Sequence, residues 1–455
     1  MTTEIGAAED SNGLLLLHLS DIHFQEPYCL NLERDQDHPI RTAMLNDIRD
    51  MVRGLGAIDA ILVSGDIAYK GHSEEYRVAS EWLASVANAA DCPQTRIYTV
   101  PGNHDVDRRI AGGRSVLATR GLISQCESGG HRDKELYDTL LDRQSGPELF
   151  TPMAKYNMFA APYECDLNRE RPSWIEKLPL APGWTLKMHG LTTTFLSGPD
   201  NDKKGELYLG ALQRSFSPDD GIVHLAMMHH PPDWLEDEDD LDDALWEYCA
   251  LQLLGHKHRQ RYRTGDHGVR LAAAAVNPDR REVGWKPGYN IIRLQIVHED
   301  ERDTLQIESH LRIWQENPDN FVAKKNTDSG DVFSHMVTLR RSPLSYSATN
   351  TKPPAATKSN VVERVVASSA ATPVDDEQII ADDIVEAAEE HMHQRDIVFH
   401  FWALTPSQRR KIKQDLDLLE PDDDTLPEPM RYRRAFERAR KFERITDLET
   451  AINSI

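Results

Sequence analysis

Cysteine is scarce in this 455-residue chain, which carries only Cys29, Cys92, Cys126, Cys165 and Cys249. Odd in number, scattered and never spaced Cys-x-x-Cys, they argue against both a disulfide framework and a zinc-thiolate site. Long apolar runs are missing as well. Hydrophobic residues make up 39% of the chain, yet no run approaches the roughly 18 residues that a membrane-spanning helix needs. The start, Met-Thr-Thr-Glu-Ile-Gly-Ala-Ala-Glu-Asp, lacks the basic and apolar stretches of a secretory signal, so a cytoplasmic protein is expected. Positive charge is in short supply: 52 Lys and Arg against 75 Asp and Glu leave a formal charge of −23. Broad adsorption to nucleic acid is thereby disfavoured, because polyanion binding needs local Lys and Arg. A local basic groove, or metals that recruit phosphate, remain compatible with it.

At this length one ordinary core is not enough, and two or three domains are expected. The chain is organised around Val100-Pro101-Gly102-Asn103-His104-Asp105. Residues 96–100 read as a buried strand, Pro101-Gly102 turns it sharply, and three polar side chains follow. An amide, an imidazole and a carboxylate at a strand end are costly to bury unless something binds them, and a metal-phosphate site would. Taken alone, the same tetrapeptide could equally be a capped turn. Other strand ends resemble it. Residues 14–19 run into Ser20-Asp21-Ile22-His23, where an extended i, i+2 relation points Asp21 and His23 to one side. Residues 58–63 run into Ser64-Gly65-Asp66, residues 222–228 into His229-His230-Pro231-Pro232, and residues 249–254 into Gly255-His256-Lys257-His258. Helices are expected near 40–55 and 73–90, an alternation with strands whose C-terminal ends are where ligands sit.

Elsewhere the pattern is weaker. Residues 106–182, with Gly112-Gly113, Gly129-Gly130 and a helical patch at 134–142, read as an insertion that could cap the site. Strands are expected at 185–188 and 192–196, and alternating segments at 289–296, 304–313 and 332–339 could complete a second sheet. The acidic run from Glu236 to Asp243 has Leu235, Leu241 and Leu245 on a helical stripe, so its charges read as a solvated face. The resulting division is a tail at 1–12, a main domain at 13–342, a linker at 343–375 and a helical domain at 376–455. The linker is rich in Ser, Thr, Ala and Pro; if flexible it would span about 30 Å root-mean-square and leave the last domain mobile. That domain opens a helix with the capping box Thr405-Pro406-Ser407-Gln408. Between Arg431 and Arg444 there are seven Lys and Arg against two Glu, expected as a solvated face, with an acidic partner or nucleic acid as the alternative.

Collected, the candidate ligands are Asp21, His23, Asp66, Asn103, His229, His256 and His258. Carboxylate, imidazole and amide donors without thiolate suit Mn, Fe, Zn, Co or Ni. Asp21-x-His23, Gly65-Asp66, Gly102-Asn103-His104-Asp105, His229-His230-Pro231 and Gly255-His256-x-His258, in that order, resemble the calcineurin-like metallophosphoesterase family over roughly residues 13–340. The resemblance implies a four-layer α/β/β/α sandwich, here followed by the linker and a small all-α domain, and a site for two divalent metals, Mn foremost. It implies that Asp21, His23 and His258 hold one metal, that Asn103, His229 and His256 hold the other, and that Asp66 bridges. His229 is chosen over His230, which becomes a supporting residue behind the ligands. His104 would contact the phosphate or protonate the leaving oxygen, oriented by Asp105.

The activity implied is phosphoester hydrolysis by metal-activated hydroxide, most like the phosphodiesterase and nuclease branches, on a nucleotide or nucleic-acid diester. A phosphomonoesterase or protein phosphatase is the enzymatic alternative, and an inactive regulatory module the alternative of another class. Leu404 to Ile412, Leu416 to Leu419 and Arg434 to Arg440 are similar to death-like helical adaptor domains of bacterial conflict systems. That likeness implies recruitment of the hydrolase to a protein partner, in a defence setting; with no long apolar run, no membrane is expected to be involved.

Overall fold

A run of four leucines, Leu14 to Leu17, can be buried on both faces only inside a sheet, and the computed structural model places it there. The structure describes residues 13–127, 129–199, 202–281, 286–299, 302–339 and 376–455, so the tail at 1–12 and the linker at 343–375 lie outside the described residues. In chain order the elements are β1 (Gly13–Leu19), α1 (His38–Leu55), β2 (Ala60–Val63), α2 (Ser73–Ala89) and β3 (Ile97–Thr99). The insertion follows with α3 (Arg108–Ala111), α4 (Arg114–Ser124), α5 (Gly129–Leu141) and α6 (Ala154–Ala160). Then come β4 (Trp174–Ala181), β5 (Trp184–Gly190), β6 (Ile222–Met228), α7 (Glu238–Tyr248), β7 (Cys249–Leu254), β8 (Arg261–Gly265) and β9 (Gly268–Ala272). β10 (Gly288–Glu299), β11 (Arg302–Gln315), β12 (Asn320–Ala323) and β13 (Phe333–Thr338) precede the helices α8 (Asp376–Ala403), α9 (Pro406–Asp415), α10 (Glu428–Lys441) and α11 (Ile445–Asn453).

One sheet runs β12-β11-β10-β1-β2-β3, with β13 also paired to β11, and the other runs β4-β5-β6-β7-β9-β8. β1, β2 and β3 are parallel, as are β5, β6, β7 and β9. The C-terminal ends of β1, β2, β3, β6 and β7 can therefore serve one site between the sheets. Apolar faces of both sheets share one core, from Leu14 to Val337. The helix pair α1 and α2 packs on the first sheet's side, and α7 packs beside β7. Two sheets flanked by helices, followed by an all-helical segment, are the sandwich and small α region expected. No described helix is long and apolar enough to cross a membrane.

Residues 289–296, 304–313 and 332–339 do not complete a second sheet as expected: β10 pairs antiparallel with β1, so β10, β11 and β13 extend the first one. Two further segments differ from expectation. Residues 192–196 form no strand: Thr192 N–H donates to Gln213 Oε1 (2.7 Å) and the Thr193 hydroxyl pairs with His230 Nδ1 (2.8 Å), so this stretch is a loop of the site. Within the supposed insertion, Trp174–Ala181 alternates buried and exposed positions and forms the edge strand β4. Its inward position Glu176 interrupts the apolar pattern.

Glu176 is buried because the C-terminal helices sit against it. Their own core is built on Phe401, Tyr432 and Phe436. Arg395 of α8, only 2% exposed, lies 4.6 Å over the Tyr98 ring of β3 and donates to the carbonyls of Thr95 (3.1 Å) and Tyr163 (2.8 Å). It stands 3.3 Å from Glu176, which His391 also approaches to 2.8 Å. Arg440 reaches Glu164 (3.0 Å), Arg434 reaches Glu170 (2.8 Å) and Arg433 pairs with Asp166. The last segment is thus seated on the main body rather than swinging free. The basic run is not simply a solvated face either: Arg433, Arg434 and Arg440 pair with acids of the same chain more than 260 residues away in sequence, and Arg438 pairs with Asp423. Breaking a buried ion pair from one side leaves an uncompensated charge, so Arg395→Ala is expected to cost about 3 kcal/mol. Urea unfolding checks this, and a loss below about 0.5 kcal/mol would reduce the contact to a surface pair.

Candidate metal centre

The strand ends reach the site through unusual backbone. After β1, β2 and β7 the chain does not stay extended: Asp21, His23, Asp66, His256 and His258 have φ of 52°, 53°, 54°, 71° and 51°. Left-handed conformations at non-glycine residues cost of order 1–3 kcal/mol each and persist only where surrounding bonds hold them. Here Asp21 N–H donates to Gly65 O (3.0 Å) and His23 N–H to Asp66 O (3.0 Å). Asp21 and His23 do converge, as do His256 and His258, but by kinked loops rather than by the pleat that i, i+2 spacing suggested. Gly102 is required by close approach, because a Cβ there would lie 2.1 Å from Asp66 Oδ1. A Cβ on Gly255 would likewise fall 2.2 Å from the Ser20 hydroxyl oxygen.

All seven candidate ligands come together, in two groups that share Asp66. In the first, His258 Nε2 is 3.2 Å from Asp21 Oδ1 and 3.2 Å from His23 Nε2. In the second, Asn103 Oδ1 is 3.1 Å from both His229 Nε2 and His256 Nδ1, which are 3.3 Å apart. One oxygen, Asp66 Oδ2, faces both groups, 3.8 Å from His23 Nε2 and 3.3 Å from His229 Nε2. Its other oxygen accepts the His104 backbone N–H (2.8 Å), which fixes the carboxylate's orientation. His229 donates Nδ1–H to Ser64 O (2.9 Å), so its Nε2 lone pair is the one turned inward.

The electrostatics call for a cation. Burial alone would raise the Asp21 carboxyl, but His258 beside it prevails and holds it below the usual carboxylate range. Burial likewise opposes ionisation of Asp66, and the charges of His229 and His104 hold its pKa well below normal. Burial pushes His23 and His256 down to about 3. Burial also disfavours a proton on His229, yet the facing Asp66 carboxylate raises it to about 9. Two ionised carboxylates facing imidazoles whose nitrogens converge are donors that fit divalent cations, which would displace the proton that Asp66 favours on His229.

His104 lies beside the first group, its ring 4.8 Å from that of His23. Asp105 does not orient it. The His104 ring donates Nδ1–H to Tyr69 O (2.8 Å), whereas Asp105 is buried and accepts from Gly102 N (2.9 Å), Ala68 N (3.0 Å), Ile67 N (3.2 Å) and the Tyr76 hydroxyl (2.9 Å). Asp105 therefore ties the two ligand-bearing loops together, and burial with the nearby Asp66 charge pushes its pKa up to about 6. His230 is buried behind His256, ring centroids 4.5 Å apart, with Nδ1 on Thr193. Three neighbours had no sequence signal of their own: Tyr69, Thr193 and Trp234, whose ring meets His256 edge-on at 3.9 Å. Only the aromatic three residues after Pro231 could have drawn notice.

Five strand ends from two sheets deliver carboxylate, amide and imidazole donors to one pit, a donor set that fits divalent metal. Residues 14–260 match the calcineurin-like phosphoesterase family, and the chain belongs to it. Residues 393–454 match the GTPase-associated adaptor domain. Among curated proteins the chain is similar to the uncharacterized metallophosphoesterase-like protein YydB of Bacillus subtilis, 26% identical over 263 residues, 53% of this chain and 48% of that protein. It is also similar to the glycerophosphodiester phosphodiesterase GpdQ of Enterobacter lignolyticus, 34% identical over 98 residues, 20% of this chain and 30% of that protein. The aligned regions thus span about half of the first relative's length and under a third of the second's. Among solved structures, Vps29 from Entamoeba histolytica complexed with zinc aligns at 9% identity and a TM-score of 0.27, over 72% of this chain and 100% of that one. A putative 5'-nucleotidase from Staphylococcus aureus aligns at 10% identity and a TM-score of 0.33, over 82% and 58%.

Proposed function

We propose that this chain is a binuclear metal-dependent phosphodiesterase acting on a nucleotide or nucleic-acid diester. In this reading Asp21, His23 and His258 hold one divalent cation, Asn103, His229 and His256 the other, and Asp66 is shared. The observation that carries it is Asp66 Oδ2 facing an imidazole of each donor group. Manganese is the first choice, with Fe, Zn, Co and Ni served by the same donors. Bound there, two divalent cations supply Lewis acidity and lower the pKa of water. The chain's own part is to hold charge and move one proton. His104, its Nδ1–H fixed on Tyr69 O, presents Nε2 to the leaving oxygen and gives it a proton as water adds to phosphorus, leaving a monoester and an alcohol. Asp105 holds the loop that carries Asn103 and His104. Residues 393–454 would bring the hydrolase to a protein partner with a matching domain, in the cytoplasm and in a bacterial defence setting.

The test is turnover with added Mn of bis(p-nitrophenyl) phosphate against p-nitrophenyl phosphate, together with metal analysis. A tenfold or greater preference in kcat/KM for the diester is expected, with two metals per chain. The reverse preference makes the protein a monoesterase or protein phosphatase, and metal-loaded protein inert toward both makes it a regulatory module. Stripping metal with a chelator should abolish turnover and lower Tm. Mn added back at a hundred times its Kd should restore about 2.7 kcal/mol of stability; an unchanged Tm would mean that the native pit binds no cation.

A further inference from the structure

Beside the donor groups a second cleft, with a volume of about 480 Å³, opens on the other side of His104. Its walls come from the loop after β2, with Tyr69 and Lys70, the loop after β3, with His104, and the start of α3, with Arg108 and Arg109. The rings of Tyr69 and His104 stack, centroids 5.0 Å apart and planes inclined by 30°, so one wall is aromatic. Three cations, Lys70, Arg108 and Arg109, stand in the rest of the lining beside His72, Val106 and Asp107. Lys70 has no acidic partner among the described residues. Arg109, 79% exposed at its side chain, stands 3.5 Å from Asp107, and Arg108, 53% exposed, leans on Asp202 at 3.4 Å. Asp107, the carboxylate in the lining, is already engaged: it accepts from Arg109 N (3.1 Å) and Ile110 N (3.4 Å), and Lys155 Nζ lies 3.0 Å away. In a chain of net charge −23, a concave cationic patch at this place concentrates anions locally against the field of the whole molecule.

His104 belongs to both sites. Its backbone N–H holds Asp66 and its ring stands 4.8 Å from His23, while the same ring lines the cleft. A substrate whose scissile phosphate meets the metals extends past His104 into this alcove. We propose that the alcove holds a second phosphate of the substrate, joined to the scissile one by a short linker, so that the preferred substrates are linear and multiply phosphorylated. This rests on the diester reading and deepens it: cyclic mononucleotides and singly charged headgroup diesters place nothing there. Lys70 and Arg109 set the preference and Tyr69 offers a ring face to the linking sugar or base.

The experiment compares kcat/KM, with Mn, for thymidylyl-thymidine, its 5'-phosphorylated and 3'-phosphorylated forms, and the trinucleotide in which the extra phosphate is a diester. A charge-assisted contact predicts roughly ten- to a hundredfold preference for at least one form bearing the extra phosphate. Preference for the trinucleotide assigns the alcove to a chain phosphate, and preference for one phosphorylated dimer assigns it to a terminal one. In the double variant Lys70→Ala, Arg109→Ala the ratio to plain dinucleotide should fall below about threefold, and the salt dependence of kcat/KM should become shallower by about one to two powers of salt concentration. The ratio is read within one variant, so partial loss of folded protein cancels. Equal rates for all four substrates in the wild type, or a preference that survives in the double variant, overturns the alcove's role. Inability to hydrolyse any of these diesters or bis(p-nitrophenyl) phosphate overturns the diester reading itself.

Discussion

Asp66→Asn is expected to lower turnover of bis(p-nitrophenyl) phosphate about ten-thousandfold, close to 5.5 kcal/mol in the barrier. The change is nearly isosteric. An Asn amide oxygen still accepts the His104 N–H that Asp66 Oδ1 accepts at 2.8 Å, so the loop after β3 keeps its anchor and the fold should survive. What disappears is the negative charge facing both His23 and His229. That charge, with a smaller contribution from Asp21, is what raises His229 to about 9 against burial, and an amide in its place leaves Asp21 as the one carboxylate among the seven donors. Bound metal should fall from two per chain to one or fewer while the circular dichroism spectrum stays unchanged. Wild-type turnover by this variant would rule out the shared-carboxylate assignment, and loss of the native spectrum would make Asp66 a folding residue first.

His104→Ala should act at a different step. Metal content should be retained, because the ring is not among the seven donors, and kcat should drop about a thousandfold on a nucleotide diester, within the range of a lost general acid. The diagnostic is the leaving group. A nitrophenolate departs without a proton, so bis(p-nitrophenyl) phosphate should lose only about tenfold, whereas an alkoxide needs protonation. Equal losses on both substrates would show that His104 holds the phosphate rather than supplying a proton. Loss of one metal would make it a ligand, with its Nδ1 bond to Tyr69 O a ligand's orienting contact.

The sandwich and the convergence of the seven donors were legible because each rests on local pattern: short apolar runs, turn residues, and polar side chains directly after them. The manner of convergence was not. Nothing in Ser20-Asp21-Ile22-His23 announces that Asp21 and His23 adopt left-handed backbone, since those φ values are imposed by bonds to Gly65 and Asp66 from another strand. Asp105 was misread for the same reason: adjacency to His104 suggested a pair, while its oxygens are claimed by Gly102, Ile67, Ala68 and Tyr76. β4 was hidden by Glu176, an inward carboxylate whose counter-charge lies on α8. The basic stretch around α10 looked solvated because charge counts carry no information about acids more than 260 residues earlier.

The seat of Arg395 on β3 also bears on how the protein is made. Strand β3 leads directly into Asn103 and His104, yet the guanidinium that covers its Tyr98 and donates to Thr95 is encoded 300 residues later. Synthesis at roughly 5–20 residues per second folds N-terminal parts first. For at least the first fifteen seconds or so after Thr95 emerges, the back of the site strand and the Glu164 carboxylate, once made, lack the arginines of α8 and α10 that face them in the fold. A nascent chain still lacking residues 376–455 therefore exposes carboxylates such as Glu164 and Asp166 that α8 and α10 later cover.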